Sequence, residues 1–458
     1  MRTIKIIFLG LLFFVPVLTA QEKQEVIKVV GDSLRGKMIN GESVREVFGN
    51  VVLTQGNVVV TCDEAIQYIS KNNARLTGNV ILKQDSLMIT TDEGFYFGNE
   101  KKTKSTSGIT LDDQKIILEA DSGEYFFNEN KAFFQSNVIL YDTITTMFAD
   151  ELTYFQKEDR AVAIGNVKVV DENNEITSDT LEHFRETKIS YADGDVKIRS
   201  LENNTTIFGN HLEDYPERQY TLITERPVLM QIDTSITADS TRRLDTLFIK
   251  AKTMEAFRDS SDIFKAIDSV QILRGSFASV NDLTLYLRLD EKLITKKMNE
   301  KSDQPILWHE NSQLTGDSIA IYIKDKKINQ LDVVENAFML AQNPDYTDRF
   351  DQTSSDTIKL FFADSKIRKA EFLGDVRSIY YLYADSTANG LTKSSAMSAT
   401  ILFEDNQVTK VKLYGKPTSE YHPENQVVGK EKAFTLPKFK FYKNRPVKNI
   451  LLKDIRQE

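Results

Sequence analysis

A single cysteine in 458 residues leaves this chain no internal disulfide. Cys62 shares a column of small residues with Thr91, Ala120, Ala149 and Ser178, so a buried small side chain is expected there rather than a reactive thiol. Histidine is scarce: His183, His211, His309 and His422 show no ligand spacing, so no metal site is expected. The one tryptophan, Trp308, reads as a packing residue. No nucleophile elbow or metalloprotease motif occurs. The segment from Gly31 to Met38 approaches a phosphate-binding loop, but Met38 stands where a Ser or Thr hydroxyl would bind Mg²⁺. No catalytic group and no cofactor is nominated, and an enzyme is not expected. Positive charge is also in deficit, with 58 basic against 67 acidic residues. No basic face stands out, which argues against a nucleic-acid partner.

Long apolar runs are confined to the start of the chain. Arg2 and Lys5 precede an apolar stretch from Ile6 to Leu18, and Thr19-Ala20 ends it. This reads as a secretory signal peptide over residues 1–20, cut after Ala20. Leu18 fits the position three before the cut poorly. The run is shorter than the roughly 20 residues of a spanning helix. No cysteine follows it, so no lipoprotein anchor is expected. Without Arg2 and Lys5, 56 basic residues face 67 acidic ones, a net charge of about −11.

What the chain has in quantity is repetition. Gly49-Asn50-Val51, Gly78-Asn79-Val80, Gly108-Ile109, Asn137-Val138, Gly165-Asn166-Val167 and Gly194-Asp195-Val196 recur with a step of 29. A fixed period of this length marks units that bury their apolar faces against their neighbours. Two columns are always aliphatic: Val51/Leu53, Val80/Leu82, Ile109/Leu111, Val138/Leu140, Val167/Val169 and Val196/Ile198. The residue between them drifts from Val52 and Ile81 to Lys168 and Lys197. That contrast at period two is a half-buried strand.

A second column holds Asp63, Asp92, Asp121, Asp150 and Asp179. Val60, Ile89, Leu118, Met147 and Ile176 lie three residues before it, and Tyr68, Phe97, Phe126, Phe155 and Phe184 five after. Polar clusters such as Lys71-Asn72-Asn73 then reverse the chain. Each unit reads as strand, bend at Asp, strand, turn, strand. The Asp column serves a structural corner better than a metal or catalytic row, because no ligands pair with it at calcium-loop spacing.

The pattern continues less regularly after residue 245. Asp282 to Tyr286, Ser318 to Tyr322 and Thr357 to Phe361 repeat one strand, and Asn336 to Met339 and Gly374-Asp375-Val376 repeat its return. Pro216 and Pro227 interrupt the pattern between the blocks. The expected organisation is a signal peptide (1–20), a regular block (26–215), a junction (216–245) and an irregular block (246–446). The expected fold is all-β, an elongated antiparallel stack of about 29-residue repeats.

Gly49-Asn50-Val51 through Thr61-Cys62-Asp63-Glu64-Ala65, then Leu76-Thr77-Gly78-Asn79-Val80, resembles the OstA-like family. That family includes the periplasmic lipopolysaccharide carrier LptA and the N-terminal domain of the translocon LptD. The resemblance implies a twisted antiparallel β-jellyroll whose apolar interior holds lipid acyl chains. It implies a periplasmic place, possible association with the outer membrane, and lipopolysaccharide (lipid A) as ligand. It also implies Lpt-type envelope partners joined by strand addition at open edges, or self-association. On that reading the twelve aliphatic positions from Val51 to Ile198 line the groove. Two alternatives differ in class. A secreted β-solenoid scaffold or adhesin would close those columns into a dry core. A β-helix polysaccharide lyase or hydrolase would need a local cluster of Asp, Glu, Lys and Arg on one face, whereas the acidic column is spread evenly along the chain.

Overall fold

The computed structural model describes residues 25–236, 242–325, 327–363, 366–384, 387–404 and 407–455. The signal-peptide expectation lies outside them. Every strand pairing reported below is antiparallel. Two compact units are formed, one by residues up to 114 with 122–129, the other by 115–121 with residues from 130 onward.

In the first unit Glu42–Gln55, Val58–Tyr68, Asn73–Gln84 and Leu87–Phe97 form a meander. Asp63 sits inside the strand Val58–Tyr68, and the chain reverses at tight turns on either side. The kink is made in the next strand, where Gly78 and Asn79 both take positive φ (77° and 48°). The ladder shifts register there, between Thr77 and Val80. This is a bulge that bends a strand without ending it. The Asn79 side-chain amide donates to the Asp63 carboxylate at 2.8 Å. Asn137 donates to Asp121 and Asn166 to Asp150 at the same place in later repeats, each at 2.7 Å. Asn50–Asp32 and Asn336–Asp317 add two pairs outside the regular column. Asp92 faces a strand broken around Ser107, and there the Thr91 hydroxyl bonds the Gly108 carbonyl instead. At Asp179 the partner strand carries Gly194-Asp195 in place of Gly-Asn.

The bulge glycine is required twice over. At Gly165 φ is +78°, and a Cβ would stand 2.5 Å from the Asp150 Oδ2. Gly165→Ala is expected to cost about 2–3 kcal/mol from left-handed backbone plus the clash. Adding Asp150→Ala should return the clash share only, so the two costs fall short of additive in thermal unfolding.

The bulge divides each long strand into two halves, and so the sheet into two wings. Strict alternation then makes continuous interior rows. One wing of the first unit carries Leu53, Val60, Leu82, Ile89 and Leu111 in cross-strand register. All five are fully buried. The Tyr96 hydroxyl on the other wing reaches the Gln55 side chain at 2.7 Å, which closes the two wings on each other. Tyr96, Tyr125 and Phe127 fill the space between them. Cys62 lies opposite Val51 where the wings meet, and burial pushes its thiol up to about 11.

In the second unit, strands from Ile117–Ala120 to Thr418–His422 continue the same scheme. The region of Pro227 is strand broken in two, Tyr220–Thr224 and Val228–Ile236, both paired with Thr205–Tyr215. Towards the C-terminus a dry interior reforms around Leu331, Val333, Ile358 and Phe372.

The last described segment forms no strand. From Glu424 onward it runs over the outer face of one wing. Arg349, only 4 % exposed, forks onto Glu424 (2.6 Å) and reaches Glu431 (3.3 Å). Beside it Asp351 accepts the Tyr381 backbone N–H at 2.9 Å. Burial raises Asp351 from its ordinary 3.8 to about 7. The unfolded chain therefore releases this proton first, and stability falls as pH rises from about 4 through 7. Asp351→Asn keeps the acceptor and removes the cost. It is expected to gain on the order of 3 kcal/mol at pH 8 and nothing at pH 4, read as a pH-dependent shift of the unfolding midpoint.

Candidate functional site

The interior row of the second unit is unbroken over ten strands. It runs Leu118, Leu140, Met147, Val169, Ile176, Ile198, Ile207, Leu229, Ile249 and Ile272, each directly opposite the next. Its burial is uneven. Leu118, Leu140 and Met147 are buried, Val169, Ile176, Ile198 and Ile207 are only half-buried, and Leu229 onward is buried again. Of the twelve sequence-nominated positions, Val51, Leu53, Val80, Leu82, Ile109, Leu111, Val138, Leu140, Val167 and Val196 are buried. Val169 and Ile198 are the two that water still reaches.

The other wing explains the difference. Its row reads Ala132, Tyr154, Ala161, His183, Ser190, Asp214 and Thr221 across the same repeats. The aromatic filling of the first unit is absent from the last four of these. His183 bonds Ser190 at 3.0 Å, and Asp214 accepts from Thr221 (2.6 Å) and Arg258 (2.8 Å). Burial lowers the His183 pKa, with the Asp142 charge opposing it, so the ring is neutral at pH 7. Aliphatic side chains on one wall thus face a polar wall with little bulk.

One rim of this stretch is bridged by charge. Asp159 accepts from Lys115 at 2.7 Å and lies 3.6 Å from Arg185, whose guanidinium also donates to the Lys115 carbonyl at 3.4 Å. Lys168 and Lys197 occupy strand positions between interior residues and so face outward. Lys168 is paired with Glu175 at 2.8 Å. Further along the interior, Ser279, Asn281, Thr284 and Thr295 form a buried polar island. Asn281 accepts from Thr284 at 2.8 Å, and the Thr295 hydroxyl has no partner among the described residues. These residues carry no repeat signature, so the sequence period did not expose them.

Among the described residues no group of three or more His, Cys, Asp or Glu is placed to hold a metal. His211 lies between Asp193 (2.5 Å) and Glu213 (3.2 Å); the bond to Asp193, then that to Glu213, raises its pKa. His309 stacks on Phe277. Among the described residues no helix is long and apolar enough to cross a membrane.

One comparison bears on identity. Residues 23–179 and 116–207 match the family described as OstA-like protein. No curated protein matches the chain. Among solved structures, LptH of Pseudomonas aeruginosa is 17% identical over 37% of this chain and 83% of that one, with a TM-score of 0.13. LptH is described as the LptA-homologous periplasmic component of the lipopolysaccharide transport device. Residues 23–207, less than half of the chain, are thus similar to the OstA-like family.

Proposed function

We propose that this protein is a periplasmic lipopolysaccharide carrier that shelters acyl chains between the wings of its second unit. The observation that carries the proposal is the half-buried run Val169, Ile176, Ile198 and Ile207, flanked on both sides by closed core. A closed scaffold has no reason to relax its packing at one stretch of an otherwise continuous row. Burial of ten methylenes in such a trough is worth about 8 kcal/mol before the cost of ordering the lipid. No reaction is required of the protein, only a dry wall and a way in.

The OstA-like match over residues 23–207, the reading of residues 1–20 as a signal peptide and the acidic composition support a periplasmic place. The irregular block 246–446 acts on this reading as a continuation of the carrier. Lpt-type partners or a second copy would add strands at an open edge. Ser33–Ile39 suits that role, because it presents exposed Leu34 and Met38.

The test is to purify the mature chain from a Gram-negative host and analyse extracted lipid by mass spectrometry. The proposal expects lipid A species in stoichiometric amount. Absence of lipid, with no binding of added lipopolysaccharide, overturns it in favour of the scaffold.

A further inference from the structure

The C-terminal strap carries a local excess of positive charge. Between Lys430 and Lys448 seven cations stand against one carboxylate, Glu431, in a chain whose net charge is −9. The strap covers an outer row that changes character along the sheet. The row passes Glu175 and Arg199, then Met230, Phe248, Leu273, Ala278 and Trp308. Phe434, Phe439, Phe441 and Tyr442 pack onto the apolar part and its neighbours.

Four clamps fix the strap in place. Arg349 holds Glu424 and Glu431. Gln352 donates to the Phe434 carbonyl and accepts from the Leu436 N–H. Gln313 does the same for Lys440 and Tyr442. Arg445 donates to the carbonyls of Glu310 and Ser276. Each glutamine acts as a one-residue strand partner, so the backbone is satisfied without a sheet edge.

With the aromatic side held down, the lysines are presented outward. Lys430, Lys432, Lys438, Lys440, Lys443 and Lys448 are all exposed. None forms an ion pair among the described residues, whereas Lys37, Lys71, Arg75, Lys102 and Lys104 of the first unit all do. Val428 and Val447 stand exposed among them. Separate exposed cations interspersed with aliphatic side chains suit a lipid headgroup layer better than a pocket ligand or a bare polyanion.

We propose that the outer surface of the strap is a docking face for an anionic bilayer, its lysines meeting lipid phosphates. This does not depend on what the interior holds. The test is sedimentation of the full mature chain with vesicles of phosphatidylcholine and phosphatidylglycerol in equal parts, against phosphatidylcholine alone. Binding is expected only to the anionic vesicles and is expected to fade at 1 M salt, where screening shortens to about 3 Å. Replacing Lys430, Lys432 and Lys443 with Gln spares the lysines that help to seat the strap, Lys438 on Asn336 (2.7 Å), Lys440 over Tyr442 and Lys448 over Phe248. It should weaken vesicle binding by roughly a hundredfold or more, with an unchanged circular dichroism spectrum. Equal binding to neutral vesicles, or a loss under threefold in the folded variant, overturns the proposal. So does retention on heparin without vesicle binding, which would assign the strap to a soluble polyanion.

Discussion

Leu82→Asp is expected to unfold the first unit. Leu82 is fully buried between Val60 and Ile89 on neighbouring strands, themselves fully buried. Truncating such a leucine costs about 2–5 kcal/mol through lost burial and the cavity left behind. A carboxylate adds the penalty of an unpaired buried charge or of the proton it must take up. Together these exceed about 5 kcal/mol, comparable to the whole stability of a domain. The readout is loss of strand signal in far-UV circular dichroism and of amide protection over residues 44–111. Retention of both would mean that water or a ligand already reaches this row, contrary to the closed packing that Tyr96 and Gln55 complete.

Ile198→Asp, the same change at the equivalent position four repeats later, is expected to behave oppositely. Ile198 is half-buried, its cross-strand neighbours Ile176 and Ile207 are too, and a carboxylate there keeps part of its hydration. The stability cost should be about 1–2 kcal/mol. Lipid binding should fall at least a hundredfold, because seating an acyl chain strips that hydration away. A folded Ile198→Asp variant that binds lipopolysaccharide as the unaltered chain does would show that lipid sits elsewhere.

The contrast between Leu82 and Ile198 shows what the sequence carries and where it falls silent. Both belong to one aliphatic column at the 29-residue period, and that period, with its alternation, was enough to read an antiparallel all-β repeat. Locally only the outward-facing neighbour differs, Ile81 against Lys197, and that says nothing of what the interior side meets. What differs is the opposing wing, where Tyr96 and Tyr125 of the first unit give way to His183, Ser190 and Asp214. Which residues face each other across the interior depends on where each strand kinks. The kink lies at Gly78-Asn79 rather than at Asp63. Gly and Asn favour positive φ in turns and bulges alike, so residue type alone leaves the two indistinguishable. The strap was hidden differently. Lys438-Phe439-Lys440-Phe441 alternates as a strand does, and net charge taken over the whole chain conceals a local excess of lysine. Only the clamps at Gln313 and Gln352 show that this alternation is used against a sheet face instead of within a sheet.

The central claim is that lipid occupies the second unit between Val169 and Ile207, and photo-crosslinking tests it most directly. A photoreactive phenylalanine is introduced at Ile198 or, in a separate chain, at Leu82, and each is irradiated with lipopolysaccharide present. A lipopolysaccharide adduct on the Ile198 chain, with none on a folded Leu82 chain, is the predicted result. No adduct at Ile198, or equal adducts at both positions, contradicts it.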